Sequence, residues 1–166
     1  MEKPVSFTQA DHILAKSCQT PFLAEMKEGP ENGLYLSVLG SVIEEKDASC
    51  GVCENPDVNR ILSQCRPIVP DISKIFEIVF EDYIIYQVRN ESYVSYDDTE
   101  KRLGNYLVQF ENSHFLDYVF TATDACRLKN GSFYPAPWKH YGICTQNHIV
   151  DVIAYGEPKV FYSENE

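Results

Sequence analysis

The sequence lacks the marks of a membrane-spanning or secreted protein. No stretch approaches the ~20 consecutive apolar residues that a membrane helix needs. The best apolar run, residues 75–88, is broken by Glu77, Glu81 and Asp82. The first residues carry charges with no apolar segment behind them, so we predict no signal peptide. We therefore expect a cytoplasmic protein without a membrane partner.

Basic residues are few relative to acidic ones. The 14 lysine and arginine residues and the 25 aspartate and glutamate residues give a formal net charge of −11 at pH 7. Such a charge repels phosphate backbones, so we expect no nucleic-acid partner. The same charge suits a basic protein partner, although solubility alone explains many acidic surfaces.

Common catalytic and cofactor-binding motifs are missing as well. The sequence contains no G-x-x-x-x-G-K-[ST] loop, no G-x-G-x-x-G, no H-E-x-x-H and no G-x-S-x-G. Phosphate chemistry therefore finds no support. We predict no cofactor.

Cysteine is sparse, with six residues and no repeating spacing, which favours free thiols in a chain without a signal peptide. Cys50 and Cys53 have the spacing of a zinc-binding or redox pair. A structural zinc site needs four ligands, however, and the sequence holds no second Cys-x-x-Cys. We predict incidental thiols and no metal at this pair, with zinc and redox chemistry as alternatives. Cys18 and Cys65 share predicted helix faces with apolar residues, so we expect both in the core.

Residues 1–70 are predicted to be rich in helix. Thr8 is expected to cap a first helix, with Asp11 in its first turn complementing the helix dipole. Pro21 marks the start of a second helix, and Asn55-Pro56 marks the start of a third. The residues expected to face the core from the third helix are Val58, Ile61, Leu62 and Cys65.

Strands are predicted mainly in residues 71–162, where apolar residues recur with period two. The predicted strands are residues 34–43, 75–80, 83–88, 93–96, 105–110, 138–144, 148–154 and an edge strand at 159–162. Glu81-Asp82 between the second and third of these predicts a tight hairpin, although one long bent strand fits as well. Ser113 is expected to cap a short helix, and Asn130-Gly131 predicts a turn.

The order of these elements predicts a single α+β domain over residues 1–166, with an N-terminal helical layer and a mainly antiparallel sheet. Strands that follow one another without long helices between them pair antiparallel. We expect residues 75–88, 105–110, 138–144 and 148–154 to share one sheet.

Four short stretches in the second half are RNESY (89–93), FLDY (115–118), WKHYG (138–142) and NH (147–148). On these stretches, residues 75–153 resemble an uncharacterised family of small bacterial proteins of the immunity-protein kind. The resemblance implies a bacterial cytosolic protein that neutralises a toxin by binding it. It supplies no catalytic residue.

A polar, tyrosine-rich run beginning at residue 89 is the candidate binding surface. Tyrosine provides rigid contact area at low entropic cost, and acidic neighbours attract a basic partner. The alternative is a solvated loop that caps the sheet. The candidate binding residues are Arg89, Glu91, Tyr93, Tyr96, Asp97 and Asp98, with Asn90 between them.

A second candidate site combines His140, Cys144 and His148. Period two places His140 and Cys144 on one side of a strand, and His148 is expected on the partner strand across a turn. A thiol and a histidine can act as nucleophile and base. A buried thiol beside a sheet histidine is the simpler interpretation, because no acidic group that orients the histidine and no oxyanion donor is evident.

The sequence therefore favours a small acidic cytosolic binding protein that neutralises or modulates a basic protein partner. The alternative is a small hydrolase or metal-dependent enzyme that uses His140, Cys144 and His148.

Overall fold

A computed structural model of the chain describes residues 2–17, 19–44, 54–63, 65–95 and 97–164. Over these residues the chain forms twelve strands and three α-helices. In chain order they are β1 (Lys3–Val5), α1 (Phe7–Ala15), β2 (Phe22–Glu28), β3 (Leu34–Ile43), α2 (Pro56–Leu62), β4 (Ile68–Phe80), β5 (Tyr83–Asn90), β6 (Lys101–Leu103), β7 (Leu107–Asn112), α3 (His114–Ala122), β8 (Cys126–Arg127), β9 (Phe133–Tyr134), β10 (Trp138–Cys144), β11 (His148–Tyr155) and β12 (Lys159–Glu164). The α+β class with antiparallel pairing is confirmed.

Most strands belong to two five-stranded sheets that share one core. The first sheet has the order β1-β12-β4-β3-β2 and the second has the order β5-β11-β10-β7-β6, while β8 and β9 form a separate pair. Phe76 and Ile78 of the first sheet and Tyr141 and Val152 of the second are fully buried in the same apolar cluster. The inner faces therefore pack together as in a β-sandwich. α1 adds Leu14 to this core.

Glu81-Asp82 does not close a hairpin within one sheet. β4 lies in the first sheet and β5 in the second, so these two residues carry the chain across the core. The single-sheet prediction is therefore wrong for residues 75–80, although β5, β7, β10 and β11 do share a sheet. Both β4 and β5 contribute residues to the core. Alternation alone cannot tell a hairpin from a corner between two packed sheets.

Among the described residues of 1–70, the strands β1, β2 and β3 accompany the helices α1 and α2, so the predicted N-terminal helical layer is not confirmed. Residues 22–28, predicted as a helix after Pro21, are β2, which pairs antiparallel with β3. A fixed proline φ also suits the start of a strand, so Pro21 marked a boundary without deciding the element type. The predicted strand at 34–43 is confirmed as β3.

The first helix is confirmed, but its cap is Ser6 rather than Thr8. The Ser6 hydroxyl accepts the backbone N–H of Gln9 (3.1 Å), and the Gln9 side chain accepts the backbone N–H of Ser6 (2.9 Å). This reciprocal pair is a capping box, which fixes where α1 begins.

The third predicted helix begins at the expected cap, but it does not pack against the core as predicted. The Asn55 side chain accepts the backbone N–H of Asp57 at 2.9 Å, and Pro56 is the first helical residue. Ile61 is 61% exposed, however, and Cys65 is exposed too, so their core placement is wrong. Regular apolar spacing shows which residues share a side of a helix, not that a surface covers that side.

The outer face of the second sheet is partly covered by α3 and the β8–β9 pair. Phe115 and Val119 of α3 bury themselves against Trp138 and Ile153 in a second apolar cluster. The predicted hairpin of β10 and β11 is confirmed, and so is the α3 cap, Ser113. β12 is not an edge strand, because it lies between β1 and β4. No helix in the described part of the chain is long and apolar enough to cross a membrane.

Candidate functional site

A cleft lies on the outer face of the second sheet, between α3 and residues 91–95 and 97–102. It consists of a cavity of about 340 Å³ and an adjoining one of about 150 Å³. The two cavities share Arg89, Ser95, Asp97 and Glu100 in their linings. A cavity of the first size lies at the lower end of the range for small-ligand or side-chain pockets.

Strand register decides which side chains reach this cleft. Gln87 pairs with Asp151, and Phe110 pairs with His140. Directly paired residues of an antiparallel ladder project from the same face. Because residues two apart also share a face, Arg89 joins this group. The sheet thus presents a polar set on the face opposite the core.

His140 is the centre of a buried hydrogen-bond network. The side chain is almost fully buried, and its ring stacks on Phe110 with centroids 4.1 Å apart. Its Nδ1 lies 2.7 Å from the Ser113 hydroxyl and its Nε2 lies 3.1 Å from Asp151 Oδ1. A carboxylate only accepts, so Nε2 carries a proton. In the neutral ring, Nδ1 then accepts from Ser113.

Asp151 is fully buried and holds two more side chains. Arg89 donates from Nε (2.8 Å) and from Nη2 (3.2 Å), and Gln87 Nε2 donates at 3.0 Å. Burial alone raises the pKa of Asp151, but the hydrogen bonds from His140 and Arg89 outweigh it and hold the pKa below its usual value. The floor of the cleft is therefore a fixed ion pair.

Ser113, His140 and Asp151 contain the residue types of a hydrolytic triad, but their geometry does not suit nucleophilic catalysis. Ser113 is 1% exposed, and its hydroxyl also accepts the backbone N–H of Leu116 at 3.1 Å as the cap of α3. Both ring nitrogens of His140 are engaged within the protein. A general base must reach the proton that it removes. The network ties α3 to the sheet instead.

The rim of the cleft carries carboxylates held in place by hydrogen bonds. Asp97 accepts from the hydroxyl (2.6 Å) and the backbone N–H (2.8 Å) of Thr99, and it lies 2.7 Å from His114 Nε2. These bonds, those from Thr99 foremost, lower the pKa of Asp97 to about 2. The Asp97 carboxylate raises the pKa of His114. Glu100 accepts the backbone N–H of His114 at 2.9 Å, which joins the rim to the start of α3.

Cys144 and His148 project from opposite faces of the hairpin. Cys144 pairs with Ile149, and His148, the residue before Ile149, pairs with Asn90 and is exposed. Burial, with a smaller contribution from the Asp151 charge, raises the pKa of the Cys144 thiol to about 11. The thiol is therefore protonated at neutral pH and is a weak nucleophile. His140 and Cys144 do share one face of β10, as predicted.

The polar run after residue 89 is divided in the structure. Arg89 belongs to the cleft floor, whereas Tyr93 is 87% exposed and Asp98 is exposed beyond the rim. Glu91 lines the smaller cavity, as does Asp97. Asn90 caps the short turn of Glu91–Tyr93 by accepting the backbone N–H of Ser92.

Four residues that carry a sequence-based prediction, Cys18, Cys50, Cys53 and Tyr96, lie outside the described residues. Within the described ranges, no group of three or more histidine, cysteine, aspartate or glutamate side chains is arranged to hold a metal ion.

Sequence reasoning missed the network beneath the cleft. Ser113 was identified only as a helix cap, and Asp151 and Gln87 were assigned no role. The available signal was the presence of polar residues inside mainly apolar strands: Gln87 and Arg89 in β5, His140 in β10 and Asp151 in β11. Reading that signal requires the pairing register, which the sequence does not contain.

Comparisons with protein-family models, with curated proteins and with solved structures find no match to this chain. Function is therefore inferred from the geometry of the chain itself.

Proposed function

We propose that this chain is a binding protein that recognises a basic protein partner through the cleft beside α3. The observation that carries the proposal is a rim carboxylate, Asp97, that is held by three hydrogen bonds, two from Thr99 and one with His114, and stays ionised across physiological pH. A carboxylate that is already oriented loses little entropy when a guanidinium or ammonium group binds. The charge of −11 steers such a partner toward the protein.

Aromatic side chains supply the second part of the recognition. Tyr118 lines the larger cavity and is 54% exposed. Tyr93, four residues before Asp97 in the sequence, is almost fully exposed to solvent. An arginine side chain entering the cleft would stack on Tyr118 while it pairs with Asp97 or Glu100. We expect the contact surface to include Tyr93, Tyr96, Asp97 and Asp98, with Arg89 and Glu91 as supporting residues.

The enzymatic alternative has weaker support. It needs a nucleophile and a base that reach a substrate, whereas Cys144 is a protonated thiol and His140 has both nitrogens engaged. The resemblance to immunity-type bacterial proteins agrees with binding in the bacterial cytoplasm. Neutralisation of a basic toxin is the form of binding that we propose.

A random peptide display library panned against the immobilised chain tests the proposal. The cleft variant Asp97→Asn with Asp98→Asn removes two charges without changing side-chain shape. The matched control, Glu25→Gln with Glu31→Gln, removes two exposed charges from the strand β2 and the turn after it. We expect enriched peptides to contain arginine or lysine. We also expect the cleft variant to bind them about tenfold more weakly, because it loses its charge-assisted contacts with the basic side chain.

The kinetics separate the roles of charge and aromatic contact. The charge variant should slow association and flatten its salt dependence, whereas Tyr118→Ala should mainly speed dissociation. Equal losses in the cleft variant and in the control would show that bulk charge, not the cleft, is recognised. Enrichment of neutral or acidic peptides would contradict the proposal, and so would turnover of a small substrate that is lost in His140→Ala.

A further inference from the structure

β5 forms an edge of the second sheet, and in the described part of the chain it lacks the protection that the other three edges of the five-stranded sheets have. β1 and β6, at two of those edges, have three residues each, and β1 contains Pro4. β2, at the third, is interrupted by a bulge at Ala24 and has three charged residues. Short length, proline, bulges and charge all hinder the pairing of an edge strand with another chain. β5 has eight residues, and the first six, residues 83–88, include no charge and no proline.

The pairing of β5 with β11 shows which of its backbone groups point away from the sheet. Glu91, the residue after β5, donates its backbone N–H at 3.2 Å to the carbonyl of Asn147, the residue before β11. Along an antiparallel ladder, residues bonded to the partner strand alternate with residues whose N–H and C=O groups point the other way. The pairing is regular from residue 85 to residue 90. The groups that point outward therefore belong to Tyr86, Val88 and Asn90, and no hydrogen bond between described residues engages their backbone N–H groups.

The side chains on the two faces of β5 define what an added strand would contact. Tyr86 packs against the core and Val88 shares its face, where Val88 is 42% exposed. Gln87 and Arg89 project from the opposite face and line the cleft. Neighbouring strands lie about 4.8 Å apart, and their side chains alternate between the two faces. An added strand would therefore cover Val88 with every second side chain and place the others at the cleft.

The charges next to this edge are mainly negative. Asp82 and Glu91 flank β5 in the sequence, and Glu28 accepts a hydrogen bond from the Tyr86 hydroxyl at 2.8 Å. These three acidic residues take part in none of the ion pairs between described residues. The cation on β5 itself, Arg89, is already engaged in the ion pair beneath the cleft. Basic side chains on an added strand would compensate this excess of negative charge.

We propose that an extended segment of the basic partner adds to β5 as a sixth, antiparallel strand of the second sheet. Its backbone bonds to the outward groups of β5, and its residues alternate between apolar and basic. The apolar side chains cover Val88, and the basic ones reach the cleft and its rim carboxylate Asp97. This inference rests on the proposed recognition of a basic partner and adds the conformation in which that partner binds. A second copy of the chain is a poorer occupant, because it would bring the same acidic residues together.

Titration of the isotope-labelled chain with a capped octapeptide of alternating lysine and valine, followed by NMR, tests the proposal. We expect saturable shift changes centred on β5 and slower deuterium exchange of the Val88 N–H. Opposite residues of an antiparallel pair project from the same face, so the valines beside Val88 are the residues whose N–H groups bond to β5. Methylation of the four valine nitrogens should therefore weaken binding at least about tenfold. The matched control, methylated on the four lysine nitrogens, has the same charge and should bind within about threefold of the parent peptide.

A variant of the strand repeats the test from the side of the protein. Val88→Pro removes an outward N–H without removing a bond to β11, so it should weaken binding of the parent peptide at least about tenfold. The control Val88→Thr keeps the N–H and the branched shape and should bind within about threefold. The methylated peptides probe the unaltered chain, so the test holds even if Val88→Pro does not fold. The proposal is overturned if the two methylated peptides bind equally, or if the parent peptide shows no saturable binding up to about 1 mM.

The display-selected peptides distinguish this inference from the cleft proposal. Peptides that are weakened by Asp97→Asn with Asp98→Asn but not by Val88→Pro would keep the cleft proposal and overturn strand addition. Peptides that are weakened by Val88→Pro alone would support strand addition and contradict recognition by the rim. Sedimentation of the free chain tests the second copy as occupant, and a dimer that is lost in Val88→Pro would overturn the proposal.

Discussion

Two aspartates are fully buried in the described part of the chain, and they are hydrogen-bonded mainly by different kinds of donor. Asp11, on α1, accepts backbone N–H groups of residues 105–107 at 2.8–3.1 Å. Asp151, on β11, is held by the side chains of His140, Arg89 and Gln87. Main-chain partners cannot move away unless the segment unfolds, whereas side chains can exchange partners by changing rotamer. The first carboxylate therefore fixes the fold, and the second assembles the floor of a cleft.

Gly104 shows how closely the backbone approaches Asp11. Its φ is +108°, and a Cβ there would lie 2.4 Å from the Leu107 carbonyl oxygen and 3.3 Å from Asp11 Oδ2. Only glycine adopts this conformation without strain. The turn before β7 is thus folded around the carboxylate, which ties α1 to the second sheet.

The largest effect should follow from Asp11→Ala. It leaves several buried N–H groups without an acceptor, so we expect the free energy of unfolding to fall by about 3–5 kcal/mol. Urea unfolding followed by the fluorescence of Trp138 measures this. The exposed control Asp124→Ala should change stability by less than about 0.5 kcal/mol. A loss below about 1 kcal/mol for Asp11→Ala would mean that water replaces the carboxylate, and the distinction between the two aspartates would fail.

Double-mutant cycles sharpen the comparison. Asp151→Asn should cost about 2 kcal/mol, because the amide keeps part of the network. Its coupling with Arg89→Gln should be about 1 kcal/mol, moderated because Arg89 is partly exposed. The parallel cycle of Asp11→Asn with Asn105→Ala should show weaker coupling, since Asn105 Nδ2 donates to Asp11 at 3.3 Å but the backbone donors remain. Additive effects of the Asp151 and Arg89 substitutions would show that their ion pair contributes nothing.

The two aspartates also show what could be predicted from the sequence. Local signals performed well: Asn55 and Ser113 were recognised as caps, and the β10–β11 hairpin was found from alternation. Asp11 was interpreted as a partner of the helix dipole, whereas its real partners are 94 to 96 residues away. Contacts at such a separation depend on the packing of α1 against the second sheet. Local sequence patterns do not predict that packing.

The lack of long-range information in local patterns also explains which parts of the candidate site could be predicted. Asp97 and Arg89 were selected because they are polar residues in an aromatic run, and both do line the cleft. His140 was considered only as part of the alternative catalytic site, and its burial between Ser113 and Asp151 could not be foreseen without the strand register. The assignment of residues 75–80 to the wrong sheet has the same cause. Apolar residues that recur with period two show which face of a strand is buried, but they do not show to which sheet the strand belongs.

Asp97, a half-buried carboxylate at the rim of the cleft, extends the comparison to the pH dependence of stability. Its pKa is lowered to about 2, so its contribution to stability is present above the ordinary value of 3.8 and is lost as pH falls toward 2. The pKa of His114 is raised, so its contribution is complete below 6.5 and is lost as pH rises through the folded-state value. NMR titration should show a His114 pKa raised above 6.5 in the wild type and lower in Asp97→Asn, where only Glu100 and Asp117 still raise it. Asp98→Asn is the matched control, and an equal decrease there would assign the shift to general charge.

The smallest expected effect is a change in the alkylation rate of Cys144, which depends on the charge of Asp151. Burial is the main reason that the Cys144 pKa is near 11, and the negative charge of Asp151 adds to it more than that of Asp11 does. Asp151→Asn should therefore lower the Cys144 pKa modestly and speed its alkylation at pH 8–9, while the exposed control Asp117→Asn leaves the rate unchanged. Peptide-resolved mass spectrometry after short iodoacetamide pulses measures the rate for each cysteine. In every variant Cys65, which is exposed, should react faster than Cys144. If Asp151→Asn leaves the Cys144 rate unchanged while the protein stays folded, then the Arg89 charge already neutralises Asp151. The two buried carboxylates would then have similar electrostatic effects on neighbouring groups despite their different hydrogen-bond partners.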